Sequence, residues 1–140
     1  MINGKLTLNM TVKPYIAAVI SFIVIDGLWL TIMTSRFYEP ALQGLLSQNP
    51  RFAVAGLFYV LYAIGTVFLV VRSGVSCGWD TAKVMLHGGL LGGLAYGTYE
   101  LTNFATIDIW PVRVVLVDIV WGTILTASVA GISYNFAEKT

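Results

Sequence analysis

The sequence predicts an all-α fold, an integral membrane bundle of four transmembrane helices, and leaves room for a short interfacial helix in the first loop. Hydrophobic residues make up 57% of the chain and charged residues 11%, against roughly 25% charged in soluble domains. The mean hydropathy is +0.80. The apolar residues also gather into four runs of about 20 residues, the length that crosses a hydrocarbon core of roughly 30 Å at 1.5 Å per residue.

A chain of 140 residues has room for a single transmembrane domain, 1–140. Its net charge of +1 supplies no basic patch, so nucleic acid is not an expected partner, whereas membrane lipids are. The lone Cys77 excludes an internal disulfide.

Lys5 and Lys13 precede the first apolar run, as in the basic start of a signal peptide. That run, 14–33, exceeds the roughly 7–15 residues of a signal core and carries Asp26, with no small-x-small cleavage pattern before Arg36. It reads as a retained transmembrane helix. Residues 34–51 form the longest connection, where Leu42, Leu45 and Leu46 keep the spacing of a helix lying in the interface. The second span, 52–71, has no charge, and RSGVSCGWD then makes a polar turn. In the third span, 81–103, Gly89, Gly93 and Gly97 recur every four residues with Gly88 and Gly92 beside them, a spacing that lets helices approach closely in lipid. A turn with Asp108, Trp110 and Pro111 leads to the fourth span, 112–134. With both termini cytoplasmic, Lys5, Lys13, Arg72, Lys83 and Lys139 lie inside and Arg36, Arg51 and Arg113 outside, the arrangement the Lys/Arg bias favours.

Three carboxylates interrupt the apolar runs, and carboxylates in hydrocarbon point to function by default. Asp26 lies roughly 12 Å from the outer end of its span, Asp118 roughly 9 Å and Glu100 roughly 6 Å, at 1.5 Å per residue. All three therefore fall in one half of the membrane. Polar aromatic residues share that zone. Tyr59 and Tyr62 lie a turn apart on the second span, and Tyr96 and Tyr99 repeat the spacing on the third. Trp29 follows Asp26 by one turn and Trp121 follows Asp118 likewise, so each Asp shares a helix face with a Trp. IDGLWLT (25–31) and VDIVWGT (117–123) both read D-x-x-W-x-T. These residues, with Asn103 at the rim, are the candidate ligand-binding set.

Glu100 points within about 20° of Gly89 at 100° per residue and so continues the glycine face toward a neighbouring helix. Arg36 and Arg113 at the outer rim are the candidate charge partners, since long basic side chains bend along the membrane normal. His87 is roughly 20 Å from Glu100 along the same helix and belongs near the inner surface. Without it no metal set forms, and no cofactor motif is present. Three readings of the acids stand together: neutral because burial disfavours charge, hydrogen-bonded as structural glue, or binding a cation or polar head group.

With these motifs in view, the chain resembles a family of small bacterial membrane proteins defined as a domain of unknown function. The resemblance runs from about Tyr15 to Phe136 and rests on IDGLWLT, Phe37-Tyr38, LFYVLYAIG, YGTYELTNFAT and VDIVWGT. It implies a four-helix protein of the inner membrane and supplies no catalytic residues. The functional expectation from the residues is binding or transport of a small cationic or amphipathic ligand. A homo-oligomer is one way to enclose a pathway, by analogy with small multidrug transporters that use an embedded Glu. A lipid-directed enzyme or accessory is an alternative, with a carboxylate as general base, although no Ser-His or Cys-His pair is present. A structural or assembly partner is the other.

Overall fold

The computed structural model describes residues 4–137, all of them in helices or short connections. Lys139, and the side chain of Lys5, lie outside what it describes. Helix α1 spans Gly4–Met33 and runs on through a π-helical turn, Thr34–Tyr38, and a last α turn, Glu39–Leu42. Helix α2 spans Phe52–Thr66 and continues through a second π turn, Val67–Val71, to Arg72–Ser76. Helices α3 (Thr81–Thr106) and α4 (Val112–Asn135) complete the bundle.

Three helices, Thr11–Leu42, Phe52–Ser76 and Val112–Asn135, are long and apolar enough to cross a membrane. α3 has the length, 26 residues, but its glycines and the polar Lys83, His87, Thr98 and Glu100 dilute its hydropathy. Glycine is costly in an isolated helix, so α3 draws its stability from packing.

The first loop departs from the expected interfacial helix. Pro40 has no N–H, and its ring crowds the carbonyl four residues back. The wider π turn at Thr34–Tyr38 relieves that crowding and lets α1 extend to Leu42. Gln43 and Gly44 then take positive φ values of 36° and 86°, which ends the helix. Leu45 and Leu46 follow in irregular, exposed backbone, so no separate helix forms around them. At the other end of α2, the segment read as a polar turn stays helical to Ser76. Gly74 makes this possible, because a Cβ there would lie 2.6 Å from Val84. Asp80 then caps α3 by accepting the Lys83 N–H at 2.7 Å, worth about 1 kcal/mol.

α3 and α4 pack closest, through two four-residue rows that run antiparallel. Gly88, Gly92, Tyr96 and Glu100 on α3 face Ala130, Thr126, Gly122 and Asp118 on α4. A Cβ on Gly92 would meet the Gly122 carbonyl oxygen at 2.1 Å, and one on Gly122 would meet the Tyr96 ring at 2.2 Å. The Gly89–Gly93 row lies beside this seam, against Thr123. The tighter approach is thus on the second glycine row, not on the one that Gly97 extends.

An apolar core of Ala18 and Phe22, Ala63, Val67, Val70 and Val71, Val84, Leu125, Val129 and Ala130 fills the half of the bundle that holds Pro14 and Trp79. Ser133 ties the end of α4 to α1 by donating to the Pro14 carbonyl at 2.7 Å. A smaller cluster of Tyr38, Ala41, Leu42 and Val114 closes the opposite end, with Trp29, Phe37 and Trp110 against it. The acids lie between the two.

Candidate functional site

Asp26 is 7% exposed and Glu100 1%, and each finds its partners on other elements. Trp121 on α4 donates its indole N–H to Asp26 Oδ1 at 2.8 Å. The Tyr59 hydroxyl on α2 donates to Asp26 Oδ2 at 2.7 Å. Asp118 accepts a hydrogen bond from the Tyr38 hydroxyl in the π turn. Tyr38 in turn accepts the Trp29 N–H at 3.0 Å. Trp110, in the connection before α4, donates to Glu100 Oε2 at 2.8 Å. Glu100 and Asp118 lie within electrostatic reach of each other across the α3–α4 seam. No buried side-chain nitrogen or oxygen among the described residues lacks a partner.

The two D-x-x-W motifs cross. The Trp of the α4 motif serves Asp26 of the α1 motif, and the Trp of the α1 motif serves Asp118 through Tyr38. Between them the Trp29 and Trp121 rings stack at 4.0 Å with an interplanar angle of 9°. Antiparallel helices carrying the same motif can meet about a local two-fold axis, and the paired indoles occupy that position.

Two neighbouring carboxylates in a medium of low dielectric repel each other. Among the described residues no basic side chain pairs with either acid. Arg113 reaches the Pro40 carbonyl at 3.4 Å, and Arg36 is exposed. Neither expected basic partner reaches an acid, and the acids are held by phenols and indoles.

The other candidates divide by depth. Tyr96 is half-buried on the α3–α4 seam and lies within electrostatic reach of Asp26, Asp118, Tyr59 and Tyr62. Tyr62 sits deeper and shares a hydrogen bond with Thr126 at 2.9 Å. Tyr99 is 60% exposed and meets only the edge of Trp110, at 6.1 Å. Asn103 is half-buried, with its carbonyl accepting the Ile107 N–H at 2.8 Å. His87 lies at the far end, stacked on Trp79 at 4.2 Å, with Nδ1 2.8 Å from the Lys83 carbonyl.

Tyr38, Trp110 and Thr126 joined the network without being among the candidates. On an ideal α-helix Tyr38, nine residues beyond Trp29, falls about 180° away from it. The π turn between them breaks that register. Trp110 belongs to a turn, where helical periodicity carries no information, although an indole in a short loop beside a buried acid was a usable signal.

Asp26 supplies a direct test of the network. Tyr59→Phe and Trp121→Phe each remove one donor, costing about 0.6–2 kcal/mol apiece for hydrogen bonds within a membrane. Together they leave a buried carboxyl group with no donor, so the double variant should lose more than the sum of the singles. Unfolding in mixed micelles measures the cycle; strictly additive losses would show that the two donors do not act on one group.

The fold and this network define a helical membrane protein with a buried, internally satisfied carboxyl cluster. The chain belongs to the family described as "Predicted membrane protein (DUF2177)", whose model matches residues 11–135. No curated protein and no solved structure matches it.

Proposed function

We propose that this protein binds a small cationic or amphipathic ligand at the acid cluster and exchanges a proton for it across the membrane. The carboxyl pair of Glu100 and Asp118 carries the reading: the two groups neighbour each other across the α3–α4 seam with no basic partner among the described residues, and such a pair can hold a proton between them and release it when a cation arrives. Trp29 and Trp121 offer aromatic faces to such a cation. Tyr38, in the π turn near the end of α1, and Trp110, in the connection before α4, cap the pair, and both must yield for a ligand to enter. The arrangement described above is then the proton-loaded, closed form. Ligand contacts would fall on Asp26, Trp29, Tyr59, Tyr62, Tyr96, Glu100, Asp118 and Trp121, with Tyr99 and Asn103 at the entrance.

In this reading α3 also crosses the membrane, which brings the spans to four, held there by its seam with α4, and both termini are cytoplasmic in an inner membrane. Alkaline phosphatase fusions after Asn49 and Asp108 should then be active and a fusion after Phe136 inactive. Activity at the last position would remove one span and with it the shared leaflet of the acids. The functional test is proton release from proteoliposomes, reported by an internal pH dye, on addition of quaternary ammonium and amphipathic amine probes. A purified protein that moves no protons with any of them refutes the exchange reading.

The pairing of every buried side-chain polar atom among the described residues favours a second reading, in which the acids fix helix register for a structural or assembly role. Replacing all three acids by amides separates the two. Lost folding with no activity to lose supports register, whereas intact folding with lost exchange supports the carrier.

A further inference from the structure

A groove of about 540 Å³ opens where the first connection meets α2, lined by Ser47, Arg51, Val54, Ala55 and Phe58. Residues 51, 54, 55 and 58 recur at helical spacing, so Arg51 stands at one end of an apolar strip that runs along α2. The strip is open. Val54 is 61% exposed and Phe58 46%, on a helix long and apolar enough to cross a membrane. On a helix that crosses a membrane such an exposed strip faces acyl chains, and a cation at the helix end stands at the level of the head groups. Ser47 is already committed, donating to the Asn49 carbonyl at 3.0 Å and accepting its N–H at 3.2 Å. Recognition at this end therefore falls to the Arg51 guanidinium, whose planar fork suits a phosphate.

From this charge and shape complementarity we infer that the groove is a binding site for an anionic phospholipid, its phosphate on Arg51 and one acyl chain along Val54, Ala55 and Phe58. The inner end of the groove touches the acid cluster through a short aromatic relay. Phe58 stacks on Tyr62 at 5.3 Å and 15° and packs against Tyr59 at 5.6 Å, and Tyr59 holds Asp26. A lipid seated on Phe58 thus bears on the donor side of Asp26. The site goes beyond the carrier reading and does not depend on it, since lipid retention is measured without any proton movement.

Native mass spectrometry of the full chain, released from nanodiscs of equal phosphatidylglycerol and phosphatidylcholine, tests the site. Phosphatidylglycerol should be retained in preference, and Arg51→Gln should lower its retention about tenfold, the loss expected for one charge-assisted contact. Arg51→Lys should restore part of it, and Phe58→Ala should weaken retention of both lipids. Arg72→Gln, at the opposite end of α2 with its guanidinium over Phe68 at 4.4 Å, should leave the difference between the two lipids intact. Equal retention of the two lipids, or indifference to Arg51→Gln, overturns the inference. So does preferential binding of oleate over phosphatidylglycerol. Spontaneous disulfide dimers of Val54→Cys in a Cys77→Ser background would assign the groove to a second copy of the chain instead.

Discussion

Glu100→Gln is expected to leave the bundle assembled and to reduce ligand-driven proton release to the background of empty liposomes. Glutamine keeps the shape of the side chain. Its amide oxygen still accepts the Trp110 N–H, and its NH2 is a donor that the neighbouring Asp118 can accept. The stability change should therefore stay within about 1 kcal/mol, the net worth of one exchanged hydrogen bond. What disappears is the titratable proton, and loss of a positioned proton donor commonly costs about 100-fold or more in rate. Asp118→Asn should behave alike, because either amide satisfies the pair without sharing a proton. Asp108→Asn, exposed in the connection before Trp110, is the matched control and should exchange at the rate of the unaltered chain. Equal proton release from Glu100→Gln and the unaltered protein would remove the carboxyl pair from the mechanism.

The second large effect is mechanical. Gly92→Ala places a methyl group 2.1 Å from the Gly122 carbonyl oxygen and 2.5 Å from Thr126 Oγ1. The first of these atoms is backbone and cannot swing aside, so the helices must separate. Overpacking of this kind costs about 1–3 kcal/mol or more. Separation also acts at a distance, because Gly92 and Glu100 lie on one row and Gly122 and Asp118 on its counterpart. Opening the seam pulls the carboxyl pair apart. Gly92→Ala should therefore lose both stability and proton exchange, whereas Gly56→Ala, where no atom lies within 4 Å of the added Cβ, should lose neither. A Gly92→Ala protein as stable as the unaltered one would show that the two helices do not pack by this seam.

These two expectations mark what was readable in the residues. Counting along the spans sufficed to bring Glu100 and Asp118 to one level, because depth in a helix follows residue number at a fixed rise. The glycines of α3 were legible as a surface of close approach. Which of the two rows makes the seam was not, because rows one residue apart differ by about 100° and only the partner helix chooses between them. The repeated D-x-x-W was visible, but its crossed pairing depends on two helices that meet only in the folded bundle. Tyr38 was hidden by a local departure from α geometry, and Trp110 by lying outside any periodic element. The helix imagined around Leu45 and Leu46 failed for a complementary reason. Hydrophobic spacing was present, but the left-handed backbone at Gln43 and Gly44 had already ended the chain's helical path.

The facing indoles of Trp29 and Trp121 carry an optical consequence. Two like chromophores in van der Waals contact do not absorb independently; their transition dipoles mix and split into a pair of bands. Circular dichroism should record this as a bisignate exciton couplet in the far ultraviolet, superimposed on the helical signal. Because its two sources are on α1 and α4, its amplitude reads how closely those helices meet beside the acids. A Trp29→Phe or Trp121→Phe variant supplies the blank. Any compound that parts the two rings would announce itself as a fading couplet, which permits a label-free screen for the ligand.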